Sequence, residues 1–160
     1  MISSFNRLFQ SIHARIHGTG LLLVRLWVGY EFANAGWIKL QDLTPPQWFI
    51  NLHFPFPNSL LSPSLNWGAA GLMESMLGLA LIVGVYSRLA SWALLYVTYV
   101  AVYTVHFDLG WAGWNQIDTD QGLGFKVPLM LGLMLFTIVS QGPGRFSVDH
   151  VCTRADHLAC

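Results

Sequence analysis

Ionisable side chains sit where the surrounding sequence leaves them little water. Arg25 and Glu31 lie inside LLLVRLWVGYEFANAGWIKL, residues 21–40, and Glu74 lies inside WGAAGLMESMLGLALIVGVY, residues 67–86. About 20 apolar residues suffice to cross a bilayer, and an ionisable group within such a span is costly unless a partner neutralises it. With about 1.5 Å of rise per residue, Glu31 and Glu74 reach one depth in two antiparallel helices, and Arg25 lies about one to two turns nearer one end. Arg25, Gly29, Phe32 and Gly36 share one helical stripe, and Glu31 falls about 120° from Arg25 at 100° per residue. The angles therefore predict an Arg25–Glu74 bridge between helices rather than an Arg25–Glu31 pair within one. A buried polar core of Arg25, Glu31 and Glu74 has two readings: an ion pair that only sets helix register, or a proton-coupled or ligand-binding site.

A second pattern is aromatic. Trp92, Tyr96, Tyr99, Tyr103 and His106 follow one another at spacings of four, three, four and three, which is one face of a helix. Such a face serves as packing and as an interfacial belt. Alternatively it forms a flat slot for a quinone ring, with Tyr96, Tyr99, Tyr103 and His106 as the candidate ligand-binding residues and the histidine able to carry a proton near neutral pH. His53, Asp108, Asp118 and Asp120 show no tight ligand spacing. In the tail, His150, Cys152, His157 and Cys160 supply two-His, two-Cys donors, but their spacing matches no standard zinc motif, so no metal is expected. The catalytic residues, if there are any, are not legible.

The elements that must position these groups follow from composition. The chain has 160 residues, 54% of them hydrophobic and 10% charged, and a formal net charge of zero. Soluble domains carry about 25% charged residues, so a single membrane domain over residues 1–160 is expected, with the lipid bilayer as its first partner. A neutral chain without a basic patch does not bind nucleic acid. Neither a haem-attachment motif, nor a dinucleotide fingerprint, nor a phosphate loop is present, so no covalently bound cofactor is expected.

Apolar runs predict an all-α, polytopic membrane four-helix bundle with spans at about 20–40, 67–86, 89–107 and 122–140. Phe5, Leu8, Phe9, Ile12 and Ile16, with Arg7, His13 and Arg15 between them, predict an N-terminal interfacial helix over 1–18. Residues 41–66 hold Pro45, Pro46, Pro55, Pro57 and Pro63 among Trp48, Phe49, Phe54 and Phe56. Proline at that density prevents a long helix and predicts a Pro/aromatic-rich outer loop capping the bundle mouth. Lys39 is expected to snorkel to the headgroups. Arg7, Arg15, Arg88, Arg145 and Arg154 fall on one side of the scheme, against Lys39 and Lys126 on the other. The positive-inside rule then places both termini and the 141–160 tail in the cytoplasm.

Taken in order, Arg25 with Gly29, Gly36 and Lys39, then Glu74 and Gly78 in MESMLGLALIVGVYSRLA, Arg88, and the junction QGPGRFSVD at 141–149 resemble the DoxX family of small four-helix membrane proteins. Glu31 and the His/Cys tail lie outside that pattern. The resemblance implies a multi-pass bundle in a bacterial cytoplasmic membrane, and Arg25 and Glu74 match the family's buried charged pair. It also implies a redox-associated subunit that handles quinone or couples to a soluble or membrane redox partner, so that any enzyme would be a quinone-linked oxidoreductase. A non-enzymatic anchor or assembly partner, a small-solute or metal passage protein, and a homo-oligomer stand beside it.

Overall fold

A computed structural model describes residues 18–152. The expected interfacial helix therefore lies outside the described residues, Gly18 excepted, as do His157 and Cys160. The described chain is all-α in class. Its helices are α1 (Thr19–Gln41), α2 (Gln47–Ile50), α3 (Pro63–Val83), α4 (Ser87–Val105) and α5 (Lys126–Gln141). Short 3-10 turns at Asn58–Leu60 and Gly110–Asn115 and a hairpin of β1 (Asp118–Thr119) and β2 (Gly122–Leu123) fill the connections. A further helical turn starts at Val148.

The long helices pack in a closed order, α1 on α3, α3 on α4, α4 on α5 and α5 back on α1, with α1 and α3 the most intimate pair. Glycine makes that intimacy possible. A Cβ placed on Gly29 would lie 2.8 Å from the Gly78 carbonyl oxygen, and one on Gly78 would lie 2.7 Å from that of Gly29. Gly36 meets Ser75 and Gly71 in the same way, so the two helices run antiparallel at near-backbone contact.

Local signals explain the helix ends. Ser62 caps α3 by accepting the Leu65 N–H at 3.3 Å, with Pro63 at the first helical position. Gly84, at φ 82°, closes α3 in the left-handed conformation. Three residues later, at Ser87, α4 begins and runs back beside α3. The start of α5 differs from expectation. Residues 122–123 form a strand paired with 118–119, and the Asp108 carboxylate accepts the Leu123 N–H at 3.2 Å. With that backbone committed to a hairpin, the helix starts only at Lys126 and has 16 residues, about 24 Å of rise. Pro128 stands in its first turn, where the missing N–H costs nothing.

Among the described residues two helices, α3 and α4, are long and apolar enough to cross a membrane by length and composition. α5 is apolar but shorter. α1 has 23 residues and carries Arg25, Glu31 and Lys39. Outward faces are apolar as well: Leu72, Met76, Leu79 and Val83 on α3, Leu89, Trp92 and Tyr99 on α4, and Leu133 and Phe136 on α5 are all exposed. The packed core, Val28, Phe32, Leu81, Ala90, Leu94, Leu135 and Ile138, fills the half of the bundle nearest the α3–α4 turn. The other half holds a cavity.

Candidate functional site

The cavity lies between the first half of α3 and the second half of α4, and the 42–62 loop roofs it. Its volume is about 230 Å3. Ala69, Ala70 and Met73 of α3 and Val97, Val100 and Ala101 of α4 form its apolar walls, and Trp48, Phe49, Phe54 and Trp67 form the roof. The rings of the roof brace one another: Phe49 packs on Trp67 at 4.9 Å between centroids and on Phe54 at 5.2 Å. Proline blocks a continuous helix here, and the aromatic side chains collapse into the mouth instead. The Trp67 indole N–H also donates to the Asp42 carbonyl at 2.9 Å, which ties the roof to the end of α1.

Polar groups enter the cavity at few points. Lys39 comes from the last turn of α1 and Glu74 from mid-α3, and their Nζ and Oε2 atoms are 2.5 Å apart. The ammonium also stands 5.8 Å from the Trp67 ring centroid, within cation–π range. Beyond the end of α4, His106 lines the cavity, and its Nδ1 is buried without a hydrogen-bond partner among the described residues. A latch of side chains closes the remaining edge. The Asn58 amide donates to Asn66 Oδ1 at 3.0 Å, the Asn66 amide returns a bond to the Asn58 carbonyl at 2.9 Å, and the Tyr96 hydroxyl donates to Asn58 Oδ1. The roof loop is thus tied to both α3 and α4.

This geometry corrects several expectations. Glu74 pairs with Lys39, not with Arg25. Arg25, 2% exposed, sends its two Nη groups to the carbonyls of Pro143, at 2.5 Å, and Phe146. The chain leaves helical geometry after α5, so these carbonyls have no intrahelical donor, and a guanidinium satisfies them at its own level. Lys39 does not reach for the headgroups. The stripe of Arg25, Gly29, Phe32 and Gly36 continues to Lys39 at the same four–three spacing, so its side chain turns inward beside α3; that continuation was the signal available in the sequence. Glu31 is not in the buried core, since it lies half-buried on another flank of α1. The tyrosine stripe divides. Tyr96 and His106 line the cavity, whereas Tyr99 and Tyr103 are more than half exposed and lie outside it. Asn58 and Asn66 were not anticipated, because lone asparagines in a loop and at a helix start carry no spacing signal.

The end of the bundle opposite the cavity is held by the tail. The Asp149 carboxylate accepts the Tyr86 and Ser87 N–H groups at 2.7 and 2.8 Å, capping α4 from outside its own segment, and the Asp149 N–H donates to Gly84 O at 3.0 Å. Ser147 caps the next turn by accepting the His150 N–H at 3.2 Å. His150 and Cys152 are exposed. Among the described residues, no group of three His, Cys, Asp or Glu side chains converges in a way that would hold a metal ion.

An all-α chain with glycine-mediated helix contact, a buried arginine clamp and an apolar cavity carrying one ion pair is the class these features define. The DoxX family model matches residues 20–107, and the chain belongs to the DoxX family. The matched stretch holds Arg25, Lys39, Glu74, Arg88 and every cavity-lining residue named above. A protein of Haemophilus influenzae, described as uncharacterized, is 32% identical over 134 residues, 82% of each chain. No solved structure matches the chain.

Proposed function

We propose that this is a single-domain, multi-pass membrane protein of the bacterial cytoplasmic membrane, with α1, α3, α4 and α5 as its four spans. In this reading it is a redox-associated subunit that handles a quinone, and a soluble or membrane partner protein supplies the electrons. Support for the membrane comes from the apolar outward faces, which a soluble protein does not leave in such quantity. Support for a common side of the start and end of the described chain comes from Arg145, whose side chain would lie 3.5 Å from a Cβ added to Gly18. The cytoplasm is then the side that takes the arginines.

The observation that carries the quinone reading is the cavity itself. Its walls are apolar, and it is supplied with one ammonium and one imidazole. Its volume of about 230 Å3 falls below the ~300–1,000 Å3 of sites for drug-sized ligands, so it accommodates a ring and not a tailed molecule whole. Lys39 offers a hydrogen bond to a ring carbonyl, with Glu74 as its counter-charge. His106 offers a second polar contact, and the roof shields the ring from the outer water.

A short-chain benzoquinone titrated into the full chain in nanodiscs, read by tryptophan quenching, tests this. Saturable quenching is expected. Lys39→Met should weaken it about tenfold, the loss of one charge-assisted hydrogen bond, and Ala101→Phe should abolish it by filling the cavity. Tyr96→Phe removes the tie between the roof loop and α4 and should speed ligand exchange, while Tyr99→Phe and Tyr103→Phe should leave binding unchanged. Quenching that does not saturate, or that Ala101→Phe leaves intact, refutes the site.

A further inference from the structure

The outward face of α1 shows a pattern that the cavity does not use. Leu23, Trp27, Tyr30, Asn34, Trp37 and Gln41 are spaced four, three, four, three and four apart, and all of them are exposed. That is a seam of a and d positions repeating every 3.5 residues, the signature of a helix that packs against another helix. With Leu23 at d, Asn34 falls at an a position and Glu31 at the flanking e position. Counted from Thr19 at 1.5 Å per residue, Glu31 lies about 18 Å and Asn34 about 22 Å along α1. No side-chain hydrogen bond or ion pair reaches either of them among the described residues.

A carboxyl group and a carboxamide at that depth of a membrane span require polar partners. The cations of α1 are already engaged, Arg25 with the Pro143 and Phe146 carbonyls and Lys39 with Glu74. The face itself supplies what is missing. A carboxamide carries both donor and acceptor, so it is complementary to its own copy. An asparagine at a single a position meets its counterpart in a parallel pair and sets both register and the number of strands. A side chain at d, here the Tyr30 phenol, enters a hole on the facing helix that includes its e residue, here Glu31. Two copies related by a two-fold axis therefore satisfy every one of these groups, which is the condition for a self-complementary interface.

We infer that the protein forms a parallel homodimer through this face of α1, with the two Asn34 amides hydrogen-bonded across the two-fold axis and each Tyr30 hydroxyl donating to the Glu31 carboxyl of the other copy. The inference rests on the membrane-spanning reading of α1 and not on the quinone site.

Disulfide cross-linking in native membranes tests it, on a full chain carrying Cys152→Ser and Cys160→Ser. Paired seam positions bring Cα atoms within disulfide range, so Leu23→Cys should yield a cross-linked species of twice the chain mass under mild oxidation. Leu79→Cys on α3 and Leu133→Cys on α5, both exposed on other faces, should yield little. Adding Asn34→Leu to Leu23→Cys should cut the yield about fivefold, and adding Glu31→Leu should cut it about twofold. Equal cross-linking at all three cysteines, an adduct of another mass, or a yield that neither second substitution changes overturns the dimer. Alkaline carbonate extraction of the same membranes reads the underlying assumption separately: release of the chain refutes the membrane reading, and retention without cross-linking refutes only the dimer.

Discussion

Removing Lys39 should harm the protein more than removing Glu74, although each change breaks the same ion pair. Glu74 lies eleven residues into α3, about 17 Å along its axis, and its side chain is 9% exposed against 21% for Lys39. Lys39 stands two residues before the end of α1. Without Glu74, the lysine stem can swing past that end and return its ammonium to water. Without Lys39, the carboxylate has no such escape. Breaking a buried pair from one side costs about 3–5 kcal/mol when the remaining charge stays buried, so Lys39→Met falls in that range. Glu74→Gln keeps its shape and most of its hydrogen bonding, and should cost about 1–2 kcal/mol. The double variant Lys39→Met/Glu74→Met removes both charges and should return to within about 1 kcal/mol of the parent. Reversible unfolding in mixed micelles, followed by far-UV circular dichroism, measures all three. Additive single-variant losses, or a Glu74→Gln penalty equal to that of Lys39→Met, would refute this account of the pair.

Three further outcomes follow from contacts elsewhere. Gly78→Val places side-chain atoms against the Gly29 carbonyl and the Ala33 backbone, and neither can retreat; it should abolish accumulation of folded protein. Gly20→Ala, with nothing within 4 Å of its added carbon, should leave accumulation unchanged, and immunoblotting of membrane fractions separates the two. Asp149→Ala removes the cap of α4 and leaves the Tyr86 and Ser87 N–H groups unpaired, which should cost about 1–2 kcal/mol. Faster hydrogen exchange confined to the first turn of α4 and the turn before it would report the loss, and unchanged exchange there would contradict it.

Residue order alone determined the all-α class, the rough extent of α1, α3 and α4, and the roofing character of the proline- and aromatic-rich loop. Each rests on local physics: apolar run length, the φ restriction of proline, and the partition of aromatic rings. It also marked Arg25 and Glu74 as needing partners, because a charge within an apolar run is visible without coordinates. Which partner each one takes was not visible. A helix crossing places residues far apart in sequence side by side, and the carbonyls that hold Arg25 belong to backbone, which leaves no trace in residue type. Lys39 turned to Glu74 because glycines bring α1 and α3 into contact along that stripe. Tyr96 separated from Tyr99 and Tyr103 because one helical face spans more than the width of a neighbour. Only the packed bundle decided on which side of that boundary each ring falls, and so which residues share the cavity.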